Sequence, residues 1–312
     1  MYRKRCRGGR LCPPVNNSRR TTMENLYNET KFILNKYGIH ANKSLGQNFL
    51  INNEVVSTII ESANISNKDL VIEIGPGLGT LTSRLLEKAG KVICVELDDR
   101  MISILEDRFK LYNNFELIHN DVLKVDLNKI IEENIENSNL KTAKIVANLP
   151  YYITTPIIMK LLEEKLNIET ITVMIQKEVA DRLVALPGTK NAGAITYSVY
   201  YYADAIKIID VEKNSFIPEP NVTSTVIQLK IRKESLLQVE NEELMFKIIK
   251  QAFMQRRKTL VNALSNLAIF NNKEEIIQLL KELNINEKVR GEALTIEQYA
   301  KITNRILKKI EN

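Results

Sequence analysis

Residues 70–80 read "LVIEIGPGLGT". The apolar run 70–75 reads as a strand, and the glycines behind it open a helix over 79–89. Gly75, Gly77 and Gly79 give G-x-G-x-G. Glycine permits a tight turn and a close approach of the backbone to a ligand. The dinucleotide fingerprint is G-x-G-x-x-G, and its third glycine would fall at Thr80. A nicotinamide or flavin pyrophosphate therefore fits the loop poorly. A P-loop is excluded, because no Gly-Lys-Ser/Thr follows.

The same strand–helix alternation extends outward from this stretch. Further strand candidates are 91–97, 115–120, 143–148, 169–175, 205–211 and 223–231, with helices expected over 99–110, 154–166 and 177–186. Upstream, 24–38 and 52–65 are helical in pattern, and the polar loop "SLGQNFL" (44–50) lies between them. Alternation of this kind gives right-handed βαβ units and a mostly parallel sheet. The first strands are apolar on both faces, as a sheet covered by helices requires. The last two candidates meet across the Pro-rich "FIPEPN" (216–221) with no room for a crossover helix, so they are expected to pair antiparallel. Beyond residue 232 only helical periodicity remains, over 240–267, 273–285 and 295–310. The expected fold is α/β: a Rossmann-like, mostly parallel seven-stranded sheet with helices on both faces (23–232), then a small all-helical domain (233–312).

Acids close the strands that follow the glycine loop. Glu96, in "VELDD", lies 21 positions after Gly75, the spacing at which a carboxylate meets ribose hydroxyls. Asp121 follows the third strand in "HND". Carboxylates at successive strand ends, with no lysine or arginine in the loop, suit a cationic nucleoside without phosphates. S-adenosylmethionine, the cofactor of class I methyltransferases, fits. The plainer alternative is that the glycines only turn the chain and Glu96 only caps the next helix.

The fourth strand candidate runs into "ANLPYYITTP" (147–156). A turn needs Asn148 and Pro150, but it does not need the aromatics. The amine of a nucleobase is a poor nucleophile, because its lone pair is delocalised into the ring. The amide oxygen of Asn148 and the carbonyl of Leu149 can accept its two N–H bonds, with Pro150 fixing the backbone. Tyr151 can stack on a base that is flipped out or single-stranded. Phe216 is either a second stacking ring or a hydrophobic plug beneath a proline loop. Tyr152 is expected to pack.

The chain is 44% hydrophobic and 26% charged, the composition of a soluble globular protein with one large domain and a smaller partner. Its net charge is +6, yet residues 1–22 hold Arg3, Lys4, Arg5, Arg7, Arg10, Arg19 and Arg20 and no acid, leaving −1 on residues 23–312. Any RNA argument must therefore rest on local patches. Residues 1–22 read as a disordered basic arm that grips phosphates or, the favoured alternative, as an extension ahead of a start at Met23. No apolar run approaches the roughly 18–20 residues of a membrane span, and no secretory signal is visible. Cys6, Cys12 and Cys94 offer no disulfide framework, so a cytoplasmic location is expected. His40 and His119 lie far from Cys6 and Cys12, so no metal site is expected.

Taken together, "SLGQNFL", "EIGPGLGTLT", "VELD", "ND", "NLPYYITTPII", "FIPEPNVTSTVIQL", "FMQRRKTLVNAL" and "RGEALTIEQYAKI" resemble the ribosomal RNA adenine N6,N6-dimethyltransferases of the KsgA/RsmA type. The likeness runs from about residue 25 to the end. It implies that Gln47, Asn48 and Leu50 border the methionine end of S-adenosylmethionine and that Gly75, Gly77 and Gly79 line the cofactor. Glu96 with Leu97 would meet its ribose, Asp121 with Val122 its adenine, and Asn148 would border both cofactor and target. Asn148, Leu149, Pro150 and Tyr151 would hold the target amine, with Phe216 opposite. Arg256, Arg257 and Lys258, in "QRRKTL", resemble an RNA-facing basic helix; a solvated helix face is the alternative. The resemblance implies dimethylation of two adjacent adenosines in a hairpin loop near the 3′ end of 16S rRNA, on an immature 30S subunit, by a monomer without a metal. Two rivals remain: a resistance methylase acting on 23S rRNA, which usually carries Asn-Ile-Pro-Tyr, and a non-catalytic assembly factor. Tyr152 stands where many relatives carry Asn or Gln.

Overall fold

The computed structural model describes residues 18–42 and 46–310. Residues 1–17 of the expected basic extension, with Cys6 and Cys12, lie outside the described residues, as do 43–45. Residues 18–22, expected to be part of that extension, instead begin helix α1 (Ser18–Lys36). A two-residue strand β1 (Phe49–Leu50) and helix α2 (Asn53–Ser62) follow. Asn52 caps α2 by accepting from the N–H groups of Glu54 and Val55.

The alternating region then builds one sheet. Its strands are β2 (Asp69–Ile74), β3 (Lys91–Glu96), β4 (Phe115–His119), β5 (Thr142–Asn148) and β6 (Thr170–Gln176), then β7 (Ala203–Val211) and β9 (Ser224–Ile231). Between β7 and β9 lies the two-residue strand β8 (Phe216–Ile217). The helices are α3 (Thr80–Leu86), α4 (Asp99–Phe109), α5 (Leu127–Glu136), α6 (Thr154–Glu163), α7 (Lys177–Leu183) and α8 (Ala194–Tyr202). Neither α5 nor α8 is anticipated from the sequence; Asp126 starts α5 by accepting from Lys129 N–H.

The sheet order is β4-β3-β2-β5-β6-β9-β7. Every pairing is parallel except those of β9, which runs antiparallel to β6 and β7. The expected antiparallel pairing of the last two strands is therefore present. The chain winds outward from β2 through β3 to β4, and from β5 through β6 in the other direction. The order reverses between β2 and β5, so a crevice opens at their carboxyl ends.

Alternation within each strand feeds both faces. Leu70, Ile72 and Ile74 of β2 pack with α5, α6 and α7 on one side. Val71, Val92 and Cys94 pack with α1 to α4 on the other. All six residues of β2 are buried. The strip β1–β8 closes the second layer, with Leu50 paired to Phe216 and Phe49 to Ile217.

The helical unit contains α9 (Glu242–Met254), α10 (Leu260–Leu264), α11 (Lys273–Glu282) and α12 (Ile296–Ile310). Its core does not stop at residue 233. Tyr197 and Tyr201 of α8 belong to it, packed with Met245, Ile248 and Tyr299. The expected basic helix through 255–260 is not formed: α9 ends at Met254, and Gln255–Thr259 turn the chain before α10.

Candidate active site

The largest constellation of sequence-singled residues meets at the carboxyl ends of β2, β3 and β5. One cleft is lined by Gly75, Gly77, Glu96, Asp121, Asn148 and Tyr151, among others. It lies at the switch point where the sheet topology places a ligand.

The glycine loop forms first. Gly75, Gly77 and Gly79 have φ of +66°, +58° and +80°, the left-handed region that L side chains resist. A side chain at Gly75 would meet nothing within 4 Å, so this backbone faces open space. Gly79 differs, because it is absent from the cleft wall and a Cβ there would collide with the Phe109 ring. Glycine at this place lets α3 approach α4.

Glu96 fastens the loop to β3. Its Oε2 accepts from Gly77 N–H at 3.0 Å, and Oε1 accepts from Leu97 and Asp98 N–H at 2.8 and 2.9 Å. Burial pushes its pKa up, against the pull of these three donors. Three of roughly four acceptor sites on the carboxylate are used. The remaining one, on Oε2, can take a hydroxyl. Leu97 next to it is 50% exposed, an apolar surface beside the cleft. Asp121 accepts from Leu123 N–H through Oδ1 at 3.0 Å, which leaves Oδ2 with no described partner. Val122 is buried in the same wall. Acceptors for hydroxyls and an amine, an apolar plate and a bare glycine backbone fit S-adenosylmethionine.

The second half of the cleft belongs to β5. Asn148 Nδ2 donates to the Asn48 carbonyl at 3.4 Å, which turns Oδ1 to the side with no described donor. Leu149 is 1% exposed, and its N–H donates to the Met174 carbonyl at 3.1 Å. Burying that side chain contributes about 1.5–3 kcal/mol and fixes the backbone at this strand end. The Pro150 carbonyl accepts from Ile153 N–H and Thr154 Oγ1, which ties the turn to α6. The Tyr151 hydroxyl bonds Ser224 Oγ at 2.6 Å, so its ring is anchored at the tip. Burial raises the pKa of this phenol, which stays neutral.

The chain matches the model of the ribosomal RNA adenine dimethylase family over residues 38–308. It belongs to that family. Among relatives of this dimethylase, ribosomal RNA small subunit methyltransferase A of Alkaliphilus oremlandii is 48% identical over 282 residues, covering 90% of this chain and 97% of its own. The Clostridioides difficile protein of the same name is 46% identical, covering 92% and 98%. A dimethyladenosine transferase from Plasmodium falciparum superposes with a TM-score of 0.69 at 29% identity, over 84% of this chain and 98% of its own. The 23S rRNA methyltransferase ErmE shares the fold at a TM-score of 0.60 and 23% identity, over 83% and 99%. Fold alone therefore does not choose the RNA.

Other residues of the dimethylase stand apart from their expected places. Phe216 is 2% exposed in the second core cluster and is not in the cleft wall. The strip β1–β8 turns it inward, so in this arrangement it packs as a hydrophobic plug. Tyr152, expected to pack, is 56% exposed at the cleft. Gln47 lines the cleft, but its amide is held by Asp98 Oδ2 at 2.7 Å and by Asn42 N–H at 2.9 Å. Asn48 and Leu50 also border the cleft, Leu50 with only 3% exposure.

Two acids in the wall are missed by sequence reasoning. Asp98 caps α4, and the Arg100 guanidinium beside it holds its carboxyl below the usual range. The run "ELDD" contains it, but spacing singles out only Glu96. Glu73 lies beneath the glycine loop, where Thr82 Oγ1 donates to it at 2.6 Å and Cys94 Sγ at 3.5 Å. Burial pushes its pKa up to about 7. A charged residue inside an apolar strand was the available signal. Arg256, Arg257 and Lys258 lie away from the cleft wall, in the turn between α9 and α10.

Proposed function

We propose that this dimethylase transfers methyl groups from S-adenosylmethionine to N6 of adenosine in 16S rRNA. The single observation that carries the reading is the shared cleft: the glycine loop, Glu96 and Asp121 open onto the same space as Asn148–Tyr151. When bound, S-adenosylmethionine supplies an electrophilic methyl carbon on a sulfonium. Asn148 Oδ1 and the Leu149 carbonyl accept the two amine hydrogens and aim the nitrogen lone pair. Tyr151 stacks on the base. These acceptors would hold the nitrogen in line with the methyl group that S-adenosylmethionine supplies, and the proton released from the alkylated amine would pass to water. Catalysis is then mostly positioning and electrostatics, with no side-chain base required.

The finer reading has two adjacent adenosines of the 3′-terminal hairpin loop dimethylated on an immature 30S subunit, in the cytoplasm, by a monomer. Arg257 and Lys258 would meet the RNA. The identity to small-subunit methyltransferases supports the choice of 16S over 23S rRNA. Incubation with labelled S-adenosylmethionine and either 30S particles or protein-free 23S rRNA tests it. Label on 30S rRNA is expected. Label on 23S rRNA alone would move the protein to the resistance class. Label on neither, with 30S binding retained, would make it a non-catalytic assembly factor.

A further inference from the structure

Among the described residues three aromatic rings line the cleft: Phe49, Tyr151 and Tyr152. Phe49 is buried, and a Cβ on Gly77 would lie 3.7 Å from its ring. Tyr151 is half-buried, with its hydroxyl committed to Ser224 Oγ. Tyr152 differs from both. More than half of it is exposed, and among the described residues its hydroxyl has no hydrogen-bond partner. A lone exposed apolar side chain is ordinary on a protein surface. The place of this one sets it apart.

The backbone under the ring is fixed. Ile153 N–H and Thr154 Oγ1 donate to the Pro150 carbonyl at 3.3 and 3.0 Å, which ties the turn to the start of α6. The ring itself lies against Gly46, where a Cβ would stand 3.5 Å from Tyr152 Cδ1. Gly46 is braced in turn: its carbonyl accepts from Asn48 Nδ2 at 3.0 Å, and the Asn48 carbonyl accepts from Asn148 Nδ2. Tyr152 is thus held at the cleft rim by its backbone and one ring edge, with most of its surface in solvent. Glu96 ends β3 and Asp121 follows β4, and both strands lie on the far side of β2 from β5. A nucleoside bonded to those acids is therefore served from the opposite side of the cleft. What passes Tyr152 is the strand that brings a base to Tyr151. A base drawn out of its stack leaves its neighbour without a stacking face. An aromatic ring restores that face to any base, whatever its edge pattern.

Resting on the RNA substrate proposed above, we propose that Tyr152 stacks on the nucleotide next to the target adenosine while Tyr151 holds the target itself. Kinetics and binding on 30S particles test this, with cofactor affinity measured alongside. Tyr152→Leu should raise KM for 30S particles and weaken their binding by about 5- to 150-fold, the worth of one stacked base. Its kcat should fall far less, and cofactor affinity should hold. Tyr152→Asn, a polar side chain suited to exposure, should match the leucine variant. Tyr152→Phe should keep the wild-type KM, because the hydroxyl has no partner to lose. Equal KM in the leucine and phenylalanine variants would overturn the proposal, since a stack requires the ring. A fall in kcat as large as the rise in KM would overturn it too, by placing Tyr152 on the target base. So would a loss of cofactor affinity, which would place the ring on the cofactor. A wild-type protein that binds 30S without methylating it would refute the proposed reaction, and the binding series would still decide the role of Tyr152.

Discussion

The carboxylate of Glu96 and the backbone N–H of Gly77 are joined at 3.0 Å, so the end of β3 holds the glycine loop that follows β2. A ligand that bonds Glu96 therefore also finds the loop in place. Glu96→Ala should weaken S-adenosylmethionine binding by about 1.5–3 kcal/mol, the range for a hydrogen bond to a charged group. Calorimetric titration checks this. A loss confined to methylation, with affinity unchanged, would remove Glu96 from the cofactor site.

The two outer glycines should fail differently. Gly75→Ala places a methyl in open space at φ +66° and should cost about 1–2 kcal/mol of stability while obstructing the cofactor. Gly79→Ala adds a collision with Phe109 and should cost about 1–3 kcal/mol more. Urea unfolding of both variants, with cofactor titration, separates strain from obstruction. Equal unfolding midpoints would show that Phe109 yields freely.

Tyr151 should matter to the base more than to the cofactor. Tyr151→Ala should lower kcat/KM for RNA by about 5- to 150-fold, the worth of one base–aromatic stack, with cofactor affinity nearly unchanged. Tyr151→Phe keeps the ring and loses the bond to Ser224, at a cost of about 1 kcal/mol in stability and little in rate. Equal loss of RNA turnover and cofactor affinity in the alanine variant would make Tyr151 structural.

Glu73 should leave a mark on the pH dependence of stability. Its carboxyl is pushed by burial from 4.5 up to about 7. Between those values the native state keeps a proton that the unfolded chain has lost, so stability falls as pH rises from about 4.5 to about 7. The full effect is on the order of 3 kcal/mol. Glu73→Gln should flatten that part of the profile and gain most, relative to wild type, above pH 7. Depressed carboxyls such as Asp69 and Asp98 act at lower pH and in the opposite sense. Parallel stability profiles for the two proteins across this window would place the ionised form in the native core.

The strands β2 to β7 and β9 were legible because each is a short apolar run between turn signals, and the period needed no partner to be seen. Helices α5 and α8 were not: α8, "AITYSVYYY", is buried on several sides and shows little amphipathic contrast. The acids at strand ends were readable for the same reason as the strands, since strand length fixes where a carboxyl end falls. Asp98 lay within the same run, but one acid in "ELDD" cannot be told from its neighbours without the cap geometry.

By itself the sequence determined the order of the sheet strands and of all helices of the sheet region but α5 and α8, the glycine loop, Glu96 and Asp121 at successive strand ends, and Asn148–Tyr151 at the end of β5. These are local facts of period and spacing. Only the tertiary structure decided that Gly79 faces Phe109, that Phe216 turns into the core through its pairing with Leu50, that Tyr152 stays exposed, and that Arg256 is committed to Glu292. Each depends on a neighbour at least 26 positions away in the chain or on the space around a side chain, and burial is a property of the packed whole, not of the run of residues.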